Sequence, residues 1–304
     1  MSTLLGELAC LGAAAVWAFS LTLFRGPIAA HGSVAVNLVK CAVATLLLGG
    51  TTLALGQLEA LTGASPAALI FLAASGVVGL SLGDNALFAA VHRLGVHRTL
   101  LLQTTAPIFT ALLAWGWKGV IPTGPQLLAA VVILVGVALV VAPSRGESVE
   151  ADGADHPAPL SLGVAFAVLA ALGQGFGIVL AKEGMSEVSV IPAATFRLGA
   201  AALGLFLLAI PGGGLGRTRA LLTHRPSVKR VMPATFLGSY LAMMLMMAGI
   251  AFAPAAIAAV LLGTTPIFSL LVESAEQRRL PDLRPTAGTL VAVVGVAALA
   301  LLSA

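Results

Sequence analysis

The chain predicts an all-α polytopic membrane protein, with ten transmembrane helices arranged as two inverted five-helix repeats. Three observations carry that prediction. Of the 304 residues, 59% are hydrophobic and only 9% are charged, against roughly 25% charged in a soluble domain. Uncharged stretches long enough to span a bilayer recur along the chain. A short motif also appears twice, once on each side of an acidic, proline-rich segment. Transmembrane β-strands would need short alternating segments, whereas these stretches are continuous.

The elements follow in order. Leu8–Phe24, Cys41–Leu58, Ala60–Gly83, Thr99–Trp117, Gly119–Ser144, Ala158–Ala181, Leu198–Gly216, Val231–Val272 and Pro285–Ala304 contain no Asp, Glu, Lys or Arg. A span needs about 20 mostly apolar residues, so the 42-residue run Val231–Val272 must hold two helices. Pro254 marks the break between them, because it cannot donate into a helix interior. Spans are therefore expected near 4–24, 33–55, 67–90, 95–117, 124–142, 160–181, 188–210, 230–252, 255–273 and 285–303. The first is too long for a secretory h-region and no cleavage site follows it. Cys10 and Cys41 both fall within spans, so neither a disulfide framework nor a zinc knuckle is expected.

Loops of a ten-span chain alternate sides, so basic residues can be counted by face. Arg25, Arg93, Arg98, Arg145, Arg217, Arg219, Arg225, Lys229, Arg230, Arg278, Arg279 and Arg284 belong to one face, and only Lys118 and Lys182 to the other. That bias predicts a multi-pass protein of the cell (plasma or inner) membrane with both termini non-cytoplasmic. It also explains the net charge of +4 without a nucleic-acid partner.

The segment 143–159 (PSRGESVEADGADHPAP) reads as a solvated linker between a first repeat, 1–142, and a second, 160–304. Gln103–Phe109 (QTTAPIF) matches Leu262–Phe268 (LGTTPIF), and Lys40 of span 2 has a counterpart in Arg197 of span 7. Five spans per repeat is an odd number, so the copies must be inverted, the usual construction of secondary transporters. The chain resembles the drug/metabolite transporter superfamily, specifically the ten-helix EamA type. The residues that carry the resemblance are Trp17-Ala-Phe-Ser, the basic residue within spans 2 and 7, the two Pro-Ile-Phe blocks, and Gly83-Asp84 followed by Leu94-Gly95. Such a resemblance implies a central substrate cavity between helices 1–4 and 6–9, and export or exchange of small metabolites. One departure is that Gly119 is followed by Val120, where members often carry Gly-Glu.

Ionisable groups inside a bilayer are costly and mark functional candidates. Lys40 and Asp84 are expected at matching depths of ~10 and ~9 Å, which suits a pair that either is structural or serves the site. Arg197 has no evident acidic partner, since span 8 offers Thr235, Ser239 and Tyr240 but no carboxylate. Its planar fork suits recognition of a carboxylate or phosphate. Ser81, Asp84, Asn85 and Phe88 are spaced to share one helix face. Gln103, Gln174, Trp17 and Tyr240 complete the substrate-binding set of Trp17, Lys40, Asp84, Asn85, Gln103, Gln174, Arg197 and Tyr240. Glu273 is expected at the interface beside Arg278 and Arg279. His92 and His97 are expected in the loop between spans 3 and 4. Gly173, Gly175 and Gly177 are expected to serve close helix approach.

Two motifs are set aside. Gly79–Gly83 fits G-x-S-x-G, but a hydrolase elbow needs a strand-to-helix turn. Met243, Met244, Met246 and Met247 suit adaptable packing. No cofactor, metal or ATP-binding loop is expected. The expected activity is alternating-access transport of a small-molecule substrate such as an amino acid, with room for proton coupling through Asp84 or for a counter-solute. The alternatives are a channel or a non-transporting scaffold; an enzyme lacks any credible catalytic set.

Overall fold

In lipid a backbone can satisfy its polar groups only within itself, so continuous apolar runs become helices and the breaks between them need special chemistry. The computed structural model describes residues 3–119, 121–141, 160–253, 255–278 and 280–302. The expected linker 143–159, Pro254 and Arg279 lie outside the described residues. Among those described, nine helices are long and apolar enough to cross a membrane.

They are α1 (Thr3–His31), α2 (Ser33–Ala54), α3 (Pro66–Leu94), α4 (Val96–Trp117), α5 (Gly124–Val141), α6 (Leu160–Gly184), α7 (Val190–Ala209), α8 (Arg225–Gly249, continuing to Phe252) and α10 (Leu283–Leu302). Between the last two, α9 is interrupted, comprising Ala255–Leu262 and Thr265–Gln277. Its two pieces together reach about 30 Å at 1.5 Å per residue, the thickness of a hydrocarbon core.

The repeated motif has a mechanical meaning. In α4 the helix breaks between Val96–Gln103 and Ala106–Lys118, just as α9 breaks after Leu262. Pro107 and Pro266 each lack an N–H and crowd the carbonyl four residues back. The paired threonines bond back across the break to carbonyls three residues earlier. Thr104 and Thr105 donate to the carbonyls of Leu101 and Leu102 at 2.6 and 2.7 Å, and Thr264 and Thr265 donate to those of Leu261 and Leu262 at the same two distances. Two helices, α3 and α8, instead carry π segments, Gly76–Gly83 and Phe236–Leu241. These too occupy matching places in the two halves.

Packing follows the same inversion. Helix α6 lies against α3 and α4, while α1 lies against α8 and α9; α2 pairs with α7 and α5 with α10. Small residues permit the closest approaches. A Cβ on Gly173 or Gly177 of α6 would stand 2.8 Å from the Cα of Gly83 or Gly79 of α3, so the helices touch backbone to backbone. The α2–α7 seam buries Leu38, Ala44 and Leu48 against Ala194, Leu198, Ala201 and Leu205.

Several helix ends depart from the charge-based boundaries. Helix α1 runs past Arg25 and over Pro27 to His31, and only Gly32, at φ 83°, separates it from α2. Helix α8 begins at Arg225, and α3 extends to Leu94 with Gly95 as its sole link to α4. Arg and Lys stems are long enough to stay helical while their heads reach water. The loop expected after α7 contains a further helix, Gly214–Thr223, bearing Arg217 and Arg219.

Candidate functional site

The two helices of the central seam each bring a cation as their eighth residue. Lys40 lies seven residues past the start of α2 at Ser33, and Arg197 seven past the start of α7 at Val190. Because the repeats are inverted, these depths of ~10 Å are measured from opposite faces. Both side chains therefore approach the middle of the bundle from opposite directions.

Lys40 is only 2% exposed and ion-pairs through Nζ with Oδ2 of Asp84, which is 16% exposed. The ammonium also sits 5.1 Å from the ring centre of Phe88, itself packed on Phe24. Asp84 is ten residues from the end of α3 at Leu94, a depth of ~15 Å rather than the ~9 Å expected. The four-carbon stem of Lys40 spans the difference.

Arg197 is placed by the glycines of the α3 π segment. Its backbone fills the space where Gly76 would carry a Cβ, and its Nη2 lies 3.9 Å from the Cβ position of Gly79. The guanidinium thus runs along α3 from the level of residue 76 toward Asp84, whose charge it feels. Its Nε is buried and has no hydrogen-bond partner among the described residues. The π geometry is itself held from both sides. Asn37 of α2 donates to the Leu80 carbonyl at 2.9 Å, Ser75 donates to Gly177 O at 2.6 Å, and Ser81 donates to Ala201 O at 2.8 Å.

This corrects the expectation that Ser81, Asp84, Asn85 and Phe88 form one stripe. Ser81 bonds α7 while Asp84 pairs with α2, because each i→i+5 turn takes up an extra residue and rotates what precedes it. The G-x-S-x-G match lies inside that π segment.

Gln103 stands at the α4 break and donates to Gln174 of α6. On α6, Gly173 and Gly177 face α3, and a Cβ on Gly175 would meet Ala106 O and Phe109 of α4 at 3.2 Å. At 100° per residue, Gln174 falls midway between the side of α6 that meets α3 and the side that meets α4. Its side chain is exposed. Oε1 of Gln103 and Oδ1 of Asn85 are buried acceptors without a partner among the described residues.

Tyr240 and Trp17 stand apart from the charges. Tyr240 shares a 3.0 Å hydrogen bond with Thr51 of α2 and stacks on Phe236. Trp17 packs against the buried cluster around Phe24 and lies 3.2 Å from a Cβ position on Gly238 of α8. Sequence reasoning passed over Asn37, whose place three residues before Lys40 was the available signal. Thr235, noted only as a non-acidic residue of span 8, has a buried hydroxyl oxygen with no partner among the described residues.

The family model for EamA-like transporters matches residues 4–142 and 161–301, one match for each half. The chain belongs to the EamA-like transporter family. As such it is a multi-pass membrane transporter of the drug/metabolite superfamily, acting on a small molecule across a lipid bilayer. No curated protein matches the sequence. A solved crystal structure superposes with a TM-score of 0.64 over 98% of this chain and 96% of its own, at 16% identity, a likeness of fold alone.

Two expectations about this EamA-like chain's basic end need correction. His97 is not a loop residue. It is buried in α4, with Nδ1 3.3 Å from Ser269 Oγ and Nε2 3.3 Å from Thr289 Oγ1. Glu273 does not sit out beside Arg278. Its carboxylate accepts from the His97 backbone N–H and lies near Arg25 and Arg98. Gly95, at φ 79°, leaves room for it, with Oε1 3.7 Å from the Cβ position. A carboxylate there complements the positive end of the α4 half-helix.

Proposed function

We propose that the protein is a secondary transporter that exports or exchanges small metabolites bearing a carboxylate, such as amino acids, by alternating access of two repeats, 1–142 and 160–304. The observation that supports this reading is the charge balance at the centre of the bundle. Two cations, the buried Lys40 and the half-buried Arg197, share one carboxylate, Asp84, and Arg197 keeps an unpartnered buried Nε. An excess positive charge is expensive in a low-dielectric interior. An incoming carboxylate neutralises it, and the guanidinium fork can take that group bidentately.

The remaining residues suit the rest of such a solute. Asn85 and Gln103 hold free oxygen acceptors for an ammonium or hydroxyl, Gln174 accepts from Gln103, and Trp17 and Tyr240 supply aromatic walls at the site's edge. An empty site would carry its uncompensated charge through reorientation, so exchange against a counter-solute is favoured over uniport. Proton coupling through Asp84 would require breaking its pair with Lys40. The face rich in Arg and Lys is taken as cytoplasmic, which puts both termini outside the cell membrane's inner face.

Counterflow in proteoliposomes with labelled metabolites pooled by charge tests this reading. Saturable flux is expected in a carboxylate-bearing pool. Arg197→Ala should lower flux at limiting solute roughly 100-fold, the worth of a charge-assisted hydrogen bond of about 3 kcal/mol, and Arg197→Lys should recover part of it. Normal uptake by a folded Arg197→Ala protein would remove the proposal. Flux that never saturates would mark a channel, and silence in every pool a scaffold.

A further inference from the structure

Away from the central charges, the basic end of the molecule holds a cavity of about 420 Å³. Its walls are the end of α1 and start of α2 (residues 28–35), the last turn of α3 with His92 and Arg93, the end of α7 with Leu208 and Ala209, and the short helix that starts at Gly214. All of these are helix ends, so the cavity lies at the level of the lipid headgroups and not at the centre of the bilayer.

Its lining is built for an anion. His31, His92, Arg93 and Arg217 line it, and among the described residues no Asp or Glu does. Arg93 donates from Nη1 to the Ala89 carbonyl at 3.0 Å and stacks over Phe166, which fixes its position, while its buried Nε has no partner among the described residues. Two helix N-termini converge on the same space. Helix α2 begins after Gly32 and the helix Gly214–Thr223 begins after Gly213, and neither has a side-chain cap. Ser33, Val34, Ala35 and Gly214, from those first turns, are all lining residues. The first N–H groups of a helix lack internal partners and carry its positive dipole end. Two arginines, two histidines and two uncapped N-termini therefore line one cavity with no acid among its described lining residues.

The mouth of the cavity adjoins an apolar strip. Leu207, Leu208 and Ile210, at the end of α7, are 57, 44 and 55% exposed. Acyl chains would cover such a surface, whereas a soluble anion would leave it bare.

We propose that this cavity binds a phosphate-bearing anion, and that its ligand is the headgroup of an anionic phospholipid whose acyl chains run down the outer face of α7. Bound there, the headgroup would tie the α1–α2 turn of the first repeat to the end of α7 in the second.

The test uses the full-length protein in detergent micelles doped with phosphatidylglycerol or phosphatidylcholine, or supplied with glycerol phosphate, read by thermal unfolding. Phosphatidylglycerol should raise the melting temperature saturably and phosphatidylcholine should not. Arg217→Gln should weaken the apparent phosphatidylglycerol affinity about tenfold, the loss of one charge-assisted contact. Arg219→Gln, which removes the same charge from the same helix but does not line the cavity, should leave it unchanged. Equal weakening by the two variants would mean diffuse surface attraction and would overturn the site. Stabilisation by glycerol phosphate equal to that by the lipid would overturn the lipid as ligand, and no response to either would overturn the phosphate chemistry.

Discussion

Lys40 and Arg197 occupy the same place in two copies of one design, yet their surroundings differ. Lys40 has a carboxylate in contact and an aromatic ring beside it. Arg197 has a slot between glycines and only the more distant field of that same carboxylate. The repeat offset, taken from Lys40 to Arg197 or from Pro107 to Pro266, carries Asp84 onto Leu241, Ala242 or Met243, all apolar. The second copy therefore has the cation without the acid. A buried ion pair contributes little net stability but is costly to break. The first copy thus holds a charge at rest, and the second holds one that still requires a partner. Repeats that were fully alike would neutralise themselves and leave nothing for a solute to do.

Breaking the first copy gives the largest expected effect on folding. Asp84→Asn strips Lys40 of its counterion and should cost roughly 3 kcal/mol, read as a lowered midpoint of thermal or denaturant unfolding. Transport should fall with it. Replacing both charges, Lys40→Met with Asp84→Leu, should restore stability to within about 1 kcal/mol of the parent protein, since an apolar pair of similar volume avoids the desolvation cost. Counterflow should stay lost, because Asp84 also sets the field around Arg197. Normal counterflow in that double variant would make the pair purely structural and leave Arg197 as the site's only charge.

A smaller effect is expected where the second cation is positioned. Gly177→Ala would bring a methyl group to 2.8 Å from the Cα of Gly79, and backbone cannot give way as a flexible side chain can. Helix α6 must then move off the π segment, at a cost of about 1–3 kcal/mol, and the slot holding the guanidinium loosens. Gly50→Ala in α2 is the control, because a Cβ there meets nothing within 4 Å and helix propensity alone favours Ala by about 1 kcal/mol. A Gly177→Ala protein as stable as the Gly50→Ala one would show that the close approach of α3 and α6 is not what holds Arg197.

Much of this was legible in the sequence for definite physical reasons. The spans, their alternation and the doubling of the Thr-Thr/Pro motif follow from apolar length and from the repeat itself, whereas the helix breaks at Pro107 and Pro266 emerge only in the fold. The Lys40–Asp84 pair was legible because a charge in lipid needs a partner within side-chain reach. The π segment was not. Gly76–Gly83 has a composition that an α-helix accepts equally well, and only its hydrogen bonds to neighbouring helices, from Asn37 to Leu80 O and from Ser81 to Ala201 O, single out the wider turn. His97 misled for the opposite reason. A polar residue two places after a glycine suggests a loop, but Ser269 and Thr289, far along the chain, supply the hydrogen bonds that let it be buried.

The last contrast concerns an acid of the second half that lies close to Arg197 in sequence. Glu187 precedes Arg197 by only ten residues, yet it serves the membrane surface. Its carboxylate accepts from the backbone N–H and the hydroxyl of Ser65 at 2.8 and 2.9 Å, fastening the α6–α7 turn to the start of α3, where Ser65 also caps the helix by accepting from Ala68 N. Those two hydrogen bonds hold the Glu187 carboxyl below the usual carboxylate range. A carboxyl depressed in the folded state contributes stability above its unfolded value, and that contribution is lost as the pH falls through the folded one. The parent protein should therefore lose a small step of thermal stability between about pH 5 and pH 3, and Glu187→Gln should lack that step. At neutral pH the variant should melt slightly lower, and below the transition the two should coincide. Because the group is fully exposed, this is the smallest of the expected effects. Unchanged counterflow in Glu187→Gln would keep the acid at the surface, whereas a loss as large as that of Arg197→Ala would mean that Glu187 reaches the second cation during transport, and the two copies would then differ in timing and not in charge.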